Sequence, residues 1–129
     1  MASFSICIKA APQASGAAHG LEFAKACIAQ GHSIVRVFFY GDGVYLGLKT
    51  QALPQGEICW GKLWQNFLVD HKIDAVVCIA AAVRRGIVDA AEARRQNLDI
   101  DLLREGFVLS GLGQWIAANS TADHTMSFG

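Results

Sequence analysis

Apolar positions along this chain fall into two periods that take turns. From Ser3 to Ile8 polar and apolar residues alternate and then run apolar, which predicts a first strand. From His32 to Tyr40 the residues Ile34, Val35, Val37, Phe38 and Phe39 are nearly continuous, the pattern of a strand covered on both faces. Ile73 to Ala80 is a third, β-branched run, Phe107 to Gly113 a short apolar piece ending in a glycine turn, and Asp123 to Phe128 a last, marginal strand. Between these runs the period becomes helical. Leu21, Ala24, Cys27 and Ile28 share one stripe of a helix from Ala17 to Gln30, which Gly31 stops. Trp60, Leu63, Trp64, Phe67 and Leu68 recur in the same way through Glu57 to His71. Asp89 caps a short charged helix reaching Gln96, and a further helix is predicted from Leu112 to Asn119. Lys9 to Gly20 reads as a strand-to-helix loop, Gly41 to Val44 as a tight turn and Tyr45 to Gly56 as a loop, while Asn97 to Glu105 fits neither period.

Strands alternating with helices over 129 residues predict a single α/β domain spanning 1–129. The expected architecture is a sandwich whose central, mostly parallel sheet has four to five strands flanked by helices. Connections should be right-handed crossovers. In such sheets ligands and chemistry gather outside the carboxyl ends of the strands.

Composition adds one expectation and removes others. Apolar residues make up 53% of the chain and charged residues 17%, an apolar excess for an ordinary domain. No apolar run is long enough to cross a bilayer, so burial against partner subunits is the expected outlet. The formal net charge is zero, which leaves no basic field for a nucleic acid backbone. The amino terminus enters the first strand without a basic, cleavable leader, and a cytoplasmic protein is expected. In that compartment the four cysteines should be free thiols. Cys7, Cys27, Cys59 and Cys78 form no C-x-x-C pair, so neither a zinc knuckle nor a dithiol motif is expected.

The candidate chemistry centres on Cys78. It stands at the carboxyl end of the third strand, ahead of three alanines, the pair Arg84-Arg85 and the break at Gly86. A strand terminus near guanidinium groups is a setting for a reactive thiol, yet free cysteines are commonly small core hydrophobes, and the residues alone leave both readings open. Cys7 falls inside a strand and Cys27 on a helical stripe, both core positions. Cys59 starts a helix beside its apolar stripe, with Lys62 its single basic neighbour. His19, His32, His71 and His124 have no metal-type spacing and read as structural. Gly41-Asp42-Gly43 is more naturally a turn than a phosphate cradle, because no nucleotide motif accompanies it. Trp60, Trp64 and Trp115 read as core or interface. Arg84, Arg85, Arg94 and Arg95 form either a solvated face or a docking patch for an acidic partner.

Three blocks resemble a known family. They are Val37-Phe-Phe-Tyr-Gly-Asp-Gly-Val44, Cys78-Ile-Ala-Ala-Ala-Val-Arg-Arg-Gly-Ile-Val-Asp89 and Gly106-Phe-Val-Leu-Ser-Gly-Leu-Gly-Gln114, and they look like the DsrE/TusD family of sulfurtransferase subunits over essentially the whole chain. The resemblance implies a DsrE-like (flavodoxin-like) α/β fold and a persulfide-carrying cysteine at Cys78, with no cofactor and no metal. It implies a heterohexamer with two paralogous small subunits, TusB- and TusC-like or DsrH- and DsrF-like. Sulfur would arrive from a TusA-like donor and leave to a TusE-like acceptor for 2-thiolation of the tRNA wobble uridine. The alternatives are a DsrE-like role in sulfur oxidation with a DsrC-like acceptor, or a non-catalytic scaffold subunit. A role for Arg84 and Arg85 in stabilising the anionic sulfur is a hypothesis built on the same block.

Overall fold

The computed structural model describes residues 1–129. Its strands are β1 (Ser3–Ile8), β2 (Ser33–Phe39), β3 (Asp74–Cys78), β4 (Phe107–Ser110) and β5 (His124–Phe128), and its helices α1 (Ser15–Ala29), α2 (Trp60–Asp70), α3 (Ile79–Arg84), α4 (Ala90–Arg95) and α5 (Gly113–Thr121). The five strands form one sheet in the order β4-β3-β2-β1-β5, and every neighbouring pair is parallel. The predicted α/β sandwich is therefore the observed fold, at the upper end of the expected strand number.

Partners in a parallel ladder share a face, and faces alternate along each strand. Ile6, Val37 and Ala75 stand in register on one face, and Ile8, Phe39 and Val77 on the next step of it. That face carries α1 and α2. Phe39 meets the Trp64 ring edge-on at 5.5 Å and Phe107 at 5.3 Å. Trp64 is fully buried, and its indole Nε1 donates to the Ala17 carbonyl at 3.0 Å, so one side chain ties α2 to α1 without leaving a polar group unpaired.

The opposite face holds Cys7, Phe38, Val76 and Val108 in register. It is covered more sparingly, by α5, and its anchors are partly polar. Trp115 stacks on Phe38 at 5.9 Å. The buried Ser5 hydroxyl donates to Asn119 Oδ1 at 2.6 Å, and Arg36 Nη1 donates to the Gln114 carbonyl at 2.8 Å.

Four sequence expectations need correction. The loop read from Lys9 to Gly20 stops at Ala14, because α1 begins at Ser15. The third strand ends at Cys78, because Ile79 and Ala80 already belong to α3. Glu57 to Cys59 precede α2 instead of forming its first turn. The tight turn at Gly41 continues as a 3-10 helix, Gly41–Gly47, so the stretch read as a loop from Tyr45 is regular at its start. Val44 and Leu46 in it are fully buried, an apolar i, i+2 pair too short to show a period. The unassigned Asn97 to Glu105 segment also has a place, since Leu103 bridges antiparallel to Leu48.

Candidate functional site

All five strands run the same way, so their carboxyl ends form one edge, where the candidate chemistry collects. Cys78 is the last residue of β3 and the residue that caps α3, with extended ψ of 116° before the helix begins. Two local causes set this junction. The β-branched pair Val76-Val77 favours the strand, and the alanines at 80–82 favour helix immediately after it. The first N–H groups of α3 lack helical acceptors, and the Cys78 side chain makes no capping hydrogen bond to them.

Cys78 is 2% exposed and Cys7, two strands away, is also buried. Cys7 titrates at about 11, pushed up first by burial, with Lys9 opposing and the Cys78 thiol adding to the rise. Burial likewise raises Cys27. The expectation that both are core thiols is met. Cys7 and Cys78 are not a disulfide pair, because the intervening strand separates their backbones by about 10 Å, beyond the roughly 7 Å limit of a bridge.

The arginine pair is divided by the structure. Both residues lie at the far end of α3, about 9 Å along the axis from Cys78. Arg85 turns back, donating from Nε to Asp42 Oδ1 at 3.1 Å and from Nη1 to the Ala81 carbonyl at 3.0 Å. Arg84 is exposed and makes no ion pair. Arg95 pairs with Glu92 at 3.1 Å while Arg94 stays solvated.

The Gly41-Asp42-Gly43 turn is a packing and ion-pair device. A Cβ on Gly43 would collide with the Ile8 carbonyl, so the backbones touch where a phosphate cradle would need open space. Two of the histidines take structural parts: His32 Nδ1 accepts from the Ala2 N–H at 3.0 Å, and His71 packs its ring on Phe67 at 4.7 Å. No group of three or more His, Cys, Asp or Glu side chains comes together for a metal.

One residue escaped sequence reading. Arg104 lies in the segment that fits neither period, yet it is buried and its Nη2 reaches Cys59 Sγ at 3.4 Å. Nothing in the sequence connects residues 45 positions apart; an arginine next to Leu103 and three positions before Phe107 was the sole signal.

Residues 2–128 match the DsrE/DsrF-like family. The chain belongs to that family. It is similar to the sulfurtransferase TusD of Photorhabdus laumondii, at 38% identity over 99% of this chain and 100% of the relative. A TusD homolog of Pseudomonas aeruginosa, also named a sulfurtransferase, is 40% identical over 98% of this chain and 96% of its own. A protein provisionally named sulfurtransferase DsrE, from Allochromatium vinosum, is 43% identical over 91% of this chain and 88% of its own. Among solved structures, the ychN protein of E. coli superposes with a TM-score of 0.77 over 99% of this chain and 100% of that one, at 21% identity, which is a likeness of fold. Sulfur transfer is thus the activity named for relatives along nearly the whole of this DsrE/DsrF-like chain.

Proposed function

We propose that this protein is a cysteine-based sulfurtransferase of the TusD type, and that Cys78 carries the sulfur. The observation behind this reading is the placement of a thiol at the strand–helix junction on the carboxyl edge of a parallel sheet, in a chain whose relatives are named sulfurtransferases. The Cys78 sulfur attacks the terminal sulfur of a donor persulfide, the donor's S–S bond breaks, and the donor leaves as a thiol. The acceptor's thiol then repeats the exchange on Cys78-S-SH. Sulfur changes carrier with no net oxidation.

The donor in this reading is a TusA-like carrier and the acceptor a TusE-like protein feeding tRNA 2-thiolation in the cytoplasm. The chain works inside a heterohexamer with TusB- and TusC-like subunits. The 43% identity to the Allochromatium DsrE favours a second reading, with the same chemistry serving a DsrC-like acceptor in sulfur oxidation. Because Cys78 is 2% exposed, the donor reaches it through a local opening of the carboxyl edge, a motion that a docked partner can bias.

Intact-mass spectrometry after mixing with a persulfide-loaded TusA-like carrier tests the reading. Wild type is expected to gain one sulfur and Cys78→Ser none from this protein donor. No gain in wild type with the partner subunits present would leave a scaffold role. Arg84→Ala and Arg85→Ala measure the arginine hypothesis: unchanged transfer rates at pH 7 would remove it.

A further inference from the structure

The strand order sets a topological switch beside Cys78. The steps from β1 to β2, β2 to β3 and β3 to β4 all lead toward one edge, and the step from β4 to β5 returns across the whole sheet. A right-handed crossover after β3 therefore lies on the α1 and α2 face, whereas the chain leaving β4 passes through α5 on the other face. The two connections part at the carboxyl ends of β3 and β4, and such a parting is where open α/β sheets bind their ligands. The residues standing there are Cys78 and Ser110, direct partners in the parallel ladder.

Ladder partners share a face, so the thiol and the hydroxyl project from the same side of the sheet, on backbones about 4.8 Å apart. Their surroundings differ. Cys78 is 2% exposed, while Ser110 is half-buried and lines a cleft of about 260 Å³ with Val76, Val108 and Gln114. The Ser110 hydroxyl is also free. Those of Ser5, Ser120 and Thr121 are hydrogen-bonded within the chain, but Ser110 Oγ has no partner, Cys78 Sγ included. A persulfide changes the reach, because its terminal sulfur stands about 2 Å beyond Sγ. A negative charge on that sulfur at so buried a position needs a donor. Arg84 and Arg85 lie at the far end of α3, which leaves Ser110 as the side-chain donor next to Cys78 in the ladder.

We infer that the Ser110 hydroxyl donates a hydrogen bond to the terminal sulfur of the Cys78 persulfide and so holds that sulfur against thiols other than the intended acceptor. This rests on the reading of Cys78 as the carrier. A donor to the charged form favours it, and an anionic persulfide repels an approaching thiolate. The reaction that Ser110 slows is removal by a free thiol R–SH. The thiol sulfur bonds to the terminal sulfur, the Cys78 S–S bond breaks, and its electron pair stays with the Cys78 sulfur. That sulfur takes up the proton of the attacking thiol, so the products are R–S–SH and the Cys78 thiol, with no oxidant or reductant required.

The test loads the full-length chain from the persulfide-charged carrier, removes the carrier, and follows loss of the added sulfur to glutathione at pH 7 by intact-mass spectrometry. Ser110→Ala and Ser110→Val should lose it about tenfold faster than wild type, the scale of one charge-assisted hydrogen bond. Ser110→Thr matches valine in shape but keeps the hydroxyl, and it should retain the wild-type rate. A hydroxyl-free variant that holds no measurable sulfur where Ser110→Thr holds it is the extreme of the same result. Equal loss from wild type and the folded hydroxyl-free variants would overturn the inference and leave Cys78 as the carrier. Loss as fast from Ser110→Thr as from Ser110→Val would do the same, because packing and not the hydroxyl would then be responsible. A wild-type chain that takes up no sulfur at Cys78 would overturn the proposed function and this inference with it. Should Ser110→Ala not fold, the threonine and valine variants decide between them.

Discussion

At the scale of single residues the four thiols divide by environment. Cys7 is held neutral by burial, and the sign of its linkage follows. Its folded value, about 11, lies above the ordinary 9.0, so the stabilisation is complete below 9.0 and is lost as pH rises toward 11. Chemical denaturation of wild type across this range should show that alkaline loss, and Cys7→Ala should show less of it. Cys7 should also resist iodoacetamide at pH 8 where Cys59 reacts. Asp123 behaves in the opposite way. Its carboxylate accepts from the Ser3 N–H at 2.9 Å and the Ser3 hydroxyl at 3.1 Å, and these bonds, the backbone one first, hold it below the ordinary 3.8. The stabilisation is present above 3.8 and disappears as pH falls through the lowered folded value. Asp123→Asn should therefore lower the melting temperature at neutral pH, and its difference from wild type should shrink in acid.

At the scale of elements, the 3-10 helix Gly41–Gly47 packs against the carboxyl end of β1. Gly43 lies against the Ile8 backbone, and no flexible side-chain end is available to give way. Gly43→Ala should cost about 1–3 kcal/mol or more, read as a drop in melting temperature, because the turn must lift off β1. Gly111→Ala is the matched control: an added Cβ there meets nothing within 4 Å and the backbone is not left-handed, so a change within about 0.5 kcal/mol is expected. The reach of α3 bears on the arginines in the same way. A helix of six residues carries Arg84 and Arg85 away from the thiol that stands beside them in sequence, and Asp42 engages one of the two.

For the whole molecule, the two faces of the sheet are finished differently. The face under α1 and α2 is closed by large aromatic side chains. On the other, the edge strand β4 leaves Val108 58% exposed, and α5 leaves Ile116 64% exposed, with Leu112 nearby in sequence and exposed as well. An unpaired strand edge beside exposed apolar residues is a surface that folded chains normally cover. If the chain assembles in the heterohexamer proposed above, the paralogous subunits are expected to bind against this face. Ile116→Glu and Val108→Lys should each reduce co-purification with those subunits while leaving the circular dichroism of the isolated chain unchanged; undiminished recovery would place the interface elsewhere.

Periodicity alone determined most of the architecture. Side chains repeat every two residues on a strand and every 3.6 on a helix, so Ser3–Ile8, Ser33–Phe39 and the α2 stripe were readable from local sequence, as was the Asp89 cap that accepts from Glu92 N–H at 2.8 Å. The family was readable too, because three blocks of the chain resemble it, and residues 2–128 match it. What only the tertiary structure decided were relations between distant segments: the register that puts Cys7 and Val76 on one face, the burial of Cys78, the Asp42–Arg85 pair, and the meeting of Cys59 with Arg104. The physical reason is that crossover connections and packing bring distant groups together, Asp42 and Arg85 across 43 positions and Cys59 and Arg104 across 45, and no local period records which segments will meet.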